Sequence, residues 1–209
     1  MGISERKERQ KAELREQIVR VAKDMVMREG FAALSMRKLA DAVEYAPATL
    51  YLHFENRDAI ARELCSRGFN DLLAVLEPAA KVEEPLERLR KLTEAYVKFG
   101  LEQPETYRLI FMEDAKLSTA LFTEESGAGP RSFAVLVRVF EDLKKAGRLA
   151  QDAEPFKLAE VLWAGMHGLV SLRLTCSGFP GSPVEELTRV LVTTMVHGLP
   201  GLKAAKKTR

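Results

Sequence analysis

The chain has 209 residues, of which 46% are hydrophobic and 30% charged, yet its formal net charge is only +2. That balance fits a packed globule, excludes a disordered polyelectrolyte, and means that any affinity for nucleic acid must come from a local basic surface. Cys65 and Cys176 lie far apart in no metal-like or redox spacing, and the most apolar stretch, residues 161–174, is too short to span a bilayer and carries His167 and Arg173, so a cytoplasmic protein with reduced thiols and no membrane contact is expected.

Almost every segment reads as helix. Leu14, Ile18, Val21, Ala22 and Met25 recur at helical spacing, and Gly30 ends that first helix. Ser35 can cap a second helix with the inner face Met36, Leu39, Ala40 and Val43. Pro47 suits the first turn of a third, over residues 47–53, where its missing N–H costs nothing. Leu50 and Phe54 then point inward, leaving Thr49, Tyr51 and His53 outward. Arg57 and Asp58 open a long helix carrying Ile60, Leu64, Leu72 and Leu76, and residues 78–85, with a proline at each end, read as a joint.

Pro85 opens a helix to about Glu102 and Pro104 a shorter one through Met112. Residues 113–130 read as a loop with at most one helical turn. A helix over 131–146 ends at Gly147, and another runs from 152–155 to Cys176. Ser182, Pro183 and Glu185 suggest a capping-box start for a last helix to Leu199, followed by a basic tail. No strand alternation appears. The expected fold class is all-α: an N-terminal three-helix bundle with a helix-turn-helix over residues 1–60, followed by a larger helical domain over 61–209.

Two short helices joined by a tight turn form the shape that enters a DNA major groove. Thr49, Tyr51 and His53 can donate to phosphate oxygens, while Pro47 and Ala48 offer apolar surface to thymine methyls. Arg37, Lys38 and Arg57 add charge on the same side, and Arg6, Lys7, Arg9 and Lys11 can reach neighbouring backbone. On the residues alone, a helical hairpin edged with solvated charges accounts for the same pattern.

The run from Ile18 through Ile60 resembles the N-terminal domain of the TetR family of bacterial transcriptional regulators. The matching residues are Ala22, Gly30, Phe31, Ser35, Met36, Arg37, Leu39, Ala40, Thr49, Leu50, Tyr51, His53, Phe54 and Asp58, with TLYLHF and Arg57 the most specific tract. Glu44 stands where many members carry glycine, so a turn free of positive φ is expected there. Ala46 stands where many carry a capping serine and removes one cap hydrogen bond. The resemblance implies a two-fold dimer on a palindromic operator of double-stranded DNA, with half-sites about 34–36 Å apart.

The second half is rich in large side chains. Tyr96, Phe99, Tyr107, Phe111, Phe133, Trp163, Met166 and His167 can converge around a small lipophilic ligand, or can simply form a helical core. The resemblance favours a cavity, because family members typically bind an effector between these helices and release DNA. WAGMHGLVSL at 163–172 and ETYRLIFM at 105–112 also look like a C-terminal subtype marked by a Trp-His-Gly signature. His167 can contact a ligand or be a buried, hydrogen-bonded histidine. No partner at metal spacing lies on its helix, so no metal is expected.

Residues 161–174 are apolar on nearly every side, so one face must pack beyond its own domain. Gly165 and Gly168 permit close approach. With Leu169, Leu172, Leu187, Val190, Leu191, Thr194 and Met195 they suggest a homodimer through an isologous four-helix bundle; two helices internal to a monomer account for the same pattern, and a DNA-reading motif that needs two half-sites favours the dimer. Ser171, His167 and Cys176 form no nucleophile–base–orienter pattern and no glycine-rich phosphate loop is present, so neither enzyme nor cofactor is expected. The expected function is a ligand-responsive DNA-binding regulator, a repressor released by its effector. The alternative is a DNA-binding regulator whose C-terminal domain only dimerises or docks a protein, and more remotely an enzyme using the helical cavity.

Overall fold

The computed structural model describes residues 2–113 and 127–197, and these residues form helices and no strand. The helices are α1 (Ile3–Glu29), α2 (Met36–Val43), α3 (Pro47–Tyr51), α4 (Arg57–Ala80), α5 (Pro85–Glu102), α6 (Pro104–Phe111), α7 (Ala128–Lys145), α8 (Pro155–Thr175) and α9 (Val184–His197). The all-α class is therefore as expected. The chain gathers into two compact units. Among the described residues, one holds 2–71, 105–113 and 127–130, and the other holds 72–104 and 131–197.

In the first unit the helix ends follow from single residues. Gly30, at φ 78°, sends its N–H to the Val26 carbonyl at 2.7 Å and closes α1. The Ser35 hydroxyl accepts the Lys38 N–H at 3.2 Å and starts α2. Asn56, which the sequence reading passed over, caps α4 by accepting the Ala59 N–H at 2.9 Å. Ile18, Ala22, Leu34, Leu39, Val43, Leu50, Phe54 and Ile60 are buried together as the core that holds α1 to α4. Gly68 lets α6 lie close against α4, since a Cβ there would stand 2.5 Å from Ile110 Cγ2.

In the second unit α5, α8 and α9 pack on one another. Leu89, Leu92, Phe99, Leu136, Phe140, Leu143, Leu162, Met166 and Val170 are buried. Pro85 opens α5, and the Glu84 carboxylate accepts the Glu87 N–H at 2.7 Å. Gly165 faces Leu191 across the α8–α9 crossing, where a Cβ would come 2.8 Å from Leu191 Cδ1.

Beyond residue 60, three boundaries differ from expectation. Pro78 lies inside α4, which continues to Ala80, so the joint shrinks to residues 81–84. Pro78 has no N–H to give the Ala74 carbonyl, so α4 runs through it at the loss of one backbone bond. α7 starts at Ala128 rather than 131, because Pro130 is tolerated in a first turn. The rest of the expected loop, residues 114–126, lies outside the described residues. α9 starts at Val184, with the Pro183 carbonyl accepting the Leu187 N–H at 3.1 Å, so proline holds the position the capping box assigned to serine. The Ser182 carbonyl instead accepts from Arg173. Leu199 and the basic tail fall outside the described residues.

Candidate nucleic-acid interface

The turn between α2 and α3 is set by one backbone bond. The Tyr45 N–H reaches the Ala40 carbonyl at 3.0 Å, which closes α2 in the manner of a Schellman cap. This closure needs a left-handed residue between them, and Glu44 takes it at φ 60°, ψ 38°. The expectation of a turn free of positive φ is thus corrected. The helix closes the same way with glutamate as with glycine, at the steric expense of a Cβ. Ala46 precedes α3 with no side-chain cap, as expected, and Pro47 takes the first turn.

α3 ends at Tyr51, two residues short of the expected His53. The N–H groups of His53 and Phe54 both converge on the Leu50 carbonyl at 2.9 Å, so the last turn tightens and stops. Leu50 and Phe54 are buried, as expected from their spacing. On the other side Pro47, Ala48 and Tyr51 stand in solvent, with Tyr51 54% exposed, and Thr49 is half-buried. Arg37, Lys38 and Arg57 are exposed. Lys38 meets Glu29 at 3.4 Å and Arg57 meets Asp58 at 3.4 Å, surface pairs weak enough to open toward a phosphate. Arg6, Lys7, Arg9 and Lys11 are exposed along the start of α1, Arg9 beside Glu13 at 3.6 Å.

His53 departs from the outward reading. Its imidazole is half-buried, and Nδ1 is enclosed without a hydrogen-bond partner among the described residues. Desolvation, and then the charges of Lys11 and Arg15, hold it below the ordinary histidine pKa, so it is a neutral group near pH 7. Tyr45 and Leu52, the latter 74% exposed, flank α3 and were missed, because neither falls on a periodic apolar face. Arg15 was also missed. It lies on α1 between Leu14 and Ile18 and reaches the end of α3, and its only signal in sequence is a cation set beside an apolar stripe.

The aromatic set is divided between the two units. In the second, the Trp163 indole N–H donates to the Tyr96 hydroxyl at 2.9 Å. Phe133 meets Trp163 edge-on at 6.1 Å, His167 lies 6.3 Å from the Trp163 ring, and Phe99 and Met166 are buried. Burial holds His167 below the usual histidine pKa. Tyr107 and Phe111 belong to the first unit, 4.9 Å apart, with Phe111 edge-on to Phe69. A cleft of about 850 Å³ opens between α1, α4 and α6, and one of about 590 Å³ between α5 and α9. Both are lined mainly by charged and polar side chains, and neither is lined by the aromatic set. Among the described residues no cluster of His, Cys, Asp or Glu is arranged for a metal, and no helix is long and apolar enough to cross a membrane.

Of the residues expected at a dimer interface, Leu172 and Val190 are exposed, the latter at 52%. Leu169, Leu187, Leu191, Thr194 and Met195 are half-buried. Gly168 has open space around it, whereas Gly165 makes its close approach to Leu191 within the same chain.

Comparison with known proteins agrees with this geometry. Residues 18–64 match the model of bacterial regulatory proteins of the tetR family, and residues 89–199, more than half of the chain, match that of the tetracyclin repressor-like C-terminal domain. An uncharacterized HTH-type transcriptional regulator of Haemophilus influenzae is 34% identical over 95 residues, 45% of this chain. The match covers 51% of that relative, so the chain spans about half of its length. A structure from Rhodococcus sp. RHA1, of unknown function, is 26% identical with a TM-score of 0.71, over 88% of this chain and 94% of that one. AibR, solved in complex with isovaleryl coenzyme A and operator DNA, shares the fold at 15% identity and a TM-score of 0.63, over 87% of this chain and 97% of its own. The chain belongs to the tetR family of bacterial regulatory proteins.

Proposed function

We propose that this protein is a cytoplasmic transcriptional repressor that binds a palindromic operator as a homodimer and is released by a small lipophilic effector. The observation that carries the DNA reading is the outer face of α3. Pro47, Ala48 and Tyr51 are exposed and Thr49 half-buried beside a buried Leu50 and Phe54, with Arg37 and Lys38 exposed on α2 and Arg57 at the start of α4. Such a face can place a hydroxyl on phosphate and apolar surface on a thymine methyl, while the cations supply affinity that falls with salt. Residues 1–60 act as the reading head and residues 61–209 as the effector and dimerisation part. The exposed Val161, Leu172 and Val190 on α8 and α9 support pairing of two copies through Gly168, Leu169, Leu187, Leu191, Thr194 and Met195.

For the effector, support comes from Tyr96, Phe133, Trp163 and a neutral His167 gathered in one unit, an apolar setting with few polar groups. Tyr107 and Phe111, expected to line the same pocket, belong to the first unit. The Trp163 and His167 pair also supports the Trp-His-Gly subtype. AibR holds an acyl coenzyme A together with operator DNA on the same fold, which is the kind of dual binding proposed for this chain. The effector must bind the DNA-incompatible state more tightly than the other, or nothing shifts. No step of this cycle makes or breaks a bond, so neither enzyme chemistry nor a cofactor enters it.

A second reading keeps the DNA binding and makes the C-terminal part a dimerisation module or a docking site for a protein. The Trp163–Tyr96 hydrogen bond favours it, since two polar ends already satisfied in one contact suit a closed core. Thermal-shift screening with a library of lipophilic compounds separates the two. Stabilisation accompanied by release of DNA supports the effector. No stabilisation and no release across diverse compounds supports the docking module.

A further inference from the structure

A chain of charged groups runs from α4 to the end of the recognition helix. Arg67 on α4 donates from both terminal nitrogens to the two carboxylate oxygens of Glu16 on α1, each at 2.6 Å. Its Nε donates to Glu63, one turn earlier on α4, at 2.9 Å. Glu63 accepts in turn from Arg15 Nη2 at 2.9 Å. The other terminal nitrogen of Arg15 donates to the His53 backbone carbonyl at 3.1 Å. The face of the same guanidinium covers the Phe54 ring, 4.1 Å from its centroid. One planar group thus holds a carboxylate by one edge, a backbone carbonyl by another and a ring by its face.

The end that Arg15 holds is the one α3 depends on. α3 has five residues and starts at Ala46 without a side-chain cap. It has too few internal bonds to fix its own angle, and Leu50 and Phe54 anchor only its inner side. His53 and Phe54 follow directly on its last turn, so a group fixed to both, and fixed in turn to α4, determines how the outer face is aimed.

We propose that Arg15 is a positioning residue for DNA reading: it sets the angle of α3 from α1 and α4 without itself touching DNA. The inference rests on the reading of α3 as the DNA-reading helix. Half-exposed ion pairs add little stability, so the effect of Arg15 falls on geometry and not on the folding equilibrium. Lysine cannot replace it, because an ammonium has neither the fork nor the stacking face.

The test uses the full chain and a DNA duplex that the wild-type protein selects from a random pool. Arg15→Lys and Arg15→Met are expected to keep helix content and thermal midpoint, and to weaken binding of that duplex about 10-fold. The slope of log affinity against log salt is expected to stay at the wild-type value, because no phosphate contact is lost. Glu63→Gln should cause part of the same loss, and adding it to Arg15→Lys should cost less than the sum of the two. Should Arg15→Met fail to fold, Arg15→Lys, which keeps the charge and stem, carries the test. A lowered midpoint with full affinity of the folded protein would reduce Arg15 to a structural role and overturn the proposal. A slope smaller by about one unit would make it a phosphate contact and overturn it equally. Failure of the wild-type protein to select any duplex would instead remove the reading of α3, and this inference with it.

Discussion

Tyr45 bonds back to Ala40 only because Glu44, between them, adopts the left-handed conformation. The tight turn between α2 and α3 therefore stands on a non-glycine residue in a region that disfavours a Cβ. Its neighbour Ala46 leaves the next helix without a side-chain cap. The head is thus built with two local weaknesses at adjacent steps, and each can be repaired by one substitution.

Glu44→Gly should stabilise the protein. Left-handed backbone costs a Cβ-bearing residue about 1–2 kcal/mol, and glycine gives back about 0.5–1 kcal/mol through its freer unfolded chain. The net gain is about 0.5–1 kcal/mol. Urea unfolding should show a higher midpoint at an unchanged slope.

Ala46→Ser should add a hydroxyl acceptor for the free N–H groups at the start of α3, worth about 1 kcal/mol. The residue is exposed, so no buried volume changes. The gain should appear in urea midpoint, and most clearly in slower hydrogen exchange of the amides of α3.

Gly68→Ala should destabilise. The new Cβ would meet Ile110 Cγ2 at 2.5 Å and Thr106 Cγ2 at 3.2 Å. Ile110 is fully buried and branched at Cβ, so its methyl cannot swing away as the end of a long side chain would. Overpacking of about 1–3 kcal/mol is offset by about 1 kcal/mol of helix propensity, leaving a net loss on thermal or urea unfolding. Gly165→Ala should be milder, because Leu191 Cδ1 is the end of a flexible chain.

Stability should fall as pH drops below the ordinary histidine value of 6.5. His53 and His167 are both held below it, His53 by desolvation and then by Lys11 and Arg15, His167 by burial. In that window the unfolded chain takes up protons that the folded one refuses, so unfolding gains as pH falls toward the folded values. His53→Gln should flatten the part of the dependence that belongs to the head. A stability profile with no slope across this window would rule out the assignment.

The helical pattern was legible because buried residues such as Ile18, Leu39, Leu50 and Ile60 recur at helical spacing, and because Gly30, Ser35, Pro47 and Pro85 punctuate it. What escaped depends on contacts far apart in sequence. The choice of Glu44 for a left-handed turn is imposed by the Tyr45–Ala40 closure, which no local preference announces. Arg15 gains its meaning from His53, Phe54 and Glu63, residues 38 and more positions away. Pro78 misled because a helix can run through a proline at the loss of one backbone bond. The aromatic residues shared one half of the sequence, but α6 groups with residues 2–71, so Tyr107 and Phe111 belong to a different unit from Trp163 and Tyr96. For Arg37, Pro47, Ala48 and Tyr51, exposure agrees with the outward face expected of them, and the half-buried His53 shows where a pattern of alternate faces stops at the end of a helix.

The central claim is that the outer face of α3 reads DNA, and fluorescence anisotropy with a duplex selected by the wild-type protein tests it most directly. Tyr51→Ala, at moderate salt and with an unchanged thermal midpoint, should lose about 10-fold in affinity for that duplex and by a similar factor for a scrambled one, because a hydroxyl placed on phosphate reads no sequence. Arg57→Ala should weaken both duplexes alike and lessen the salt dependence. Full retention of affinity by both variants would contradict the claim.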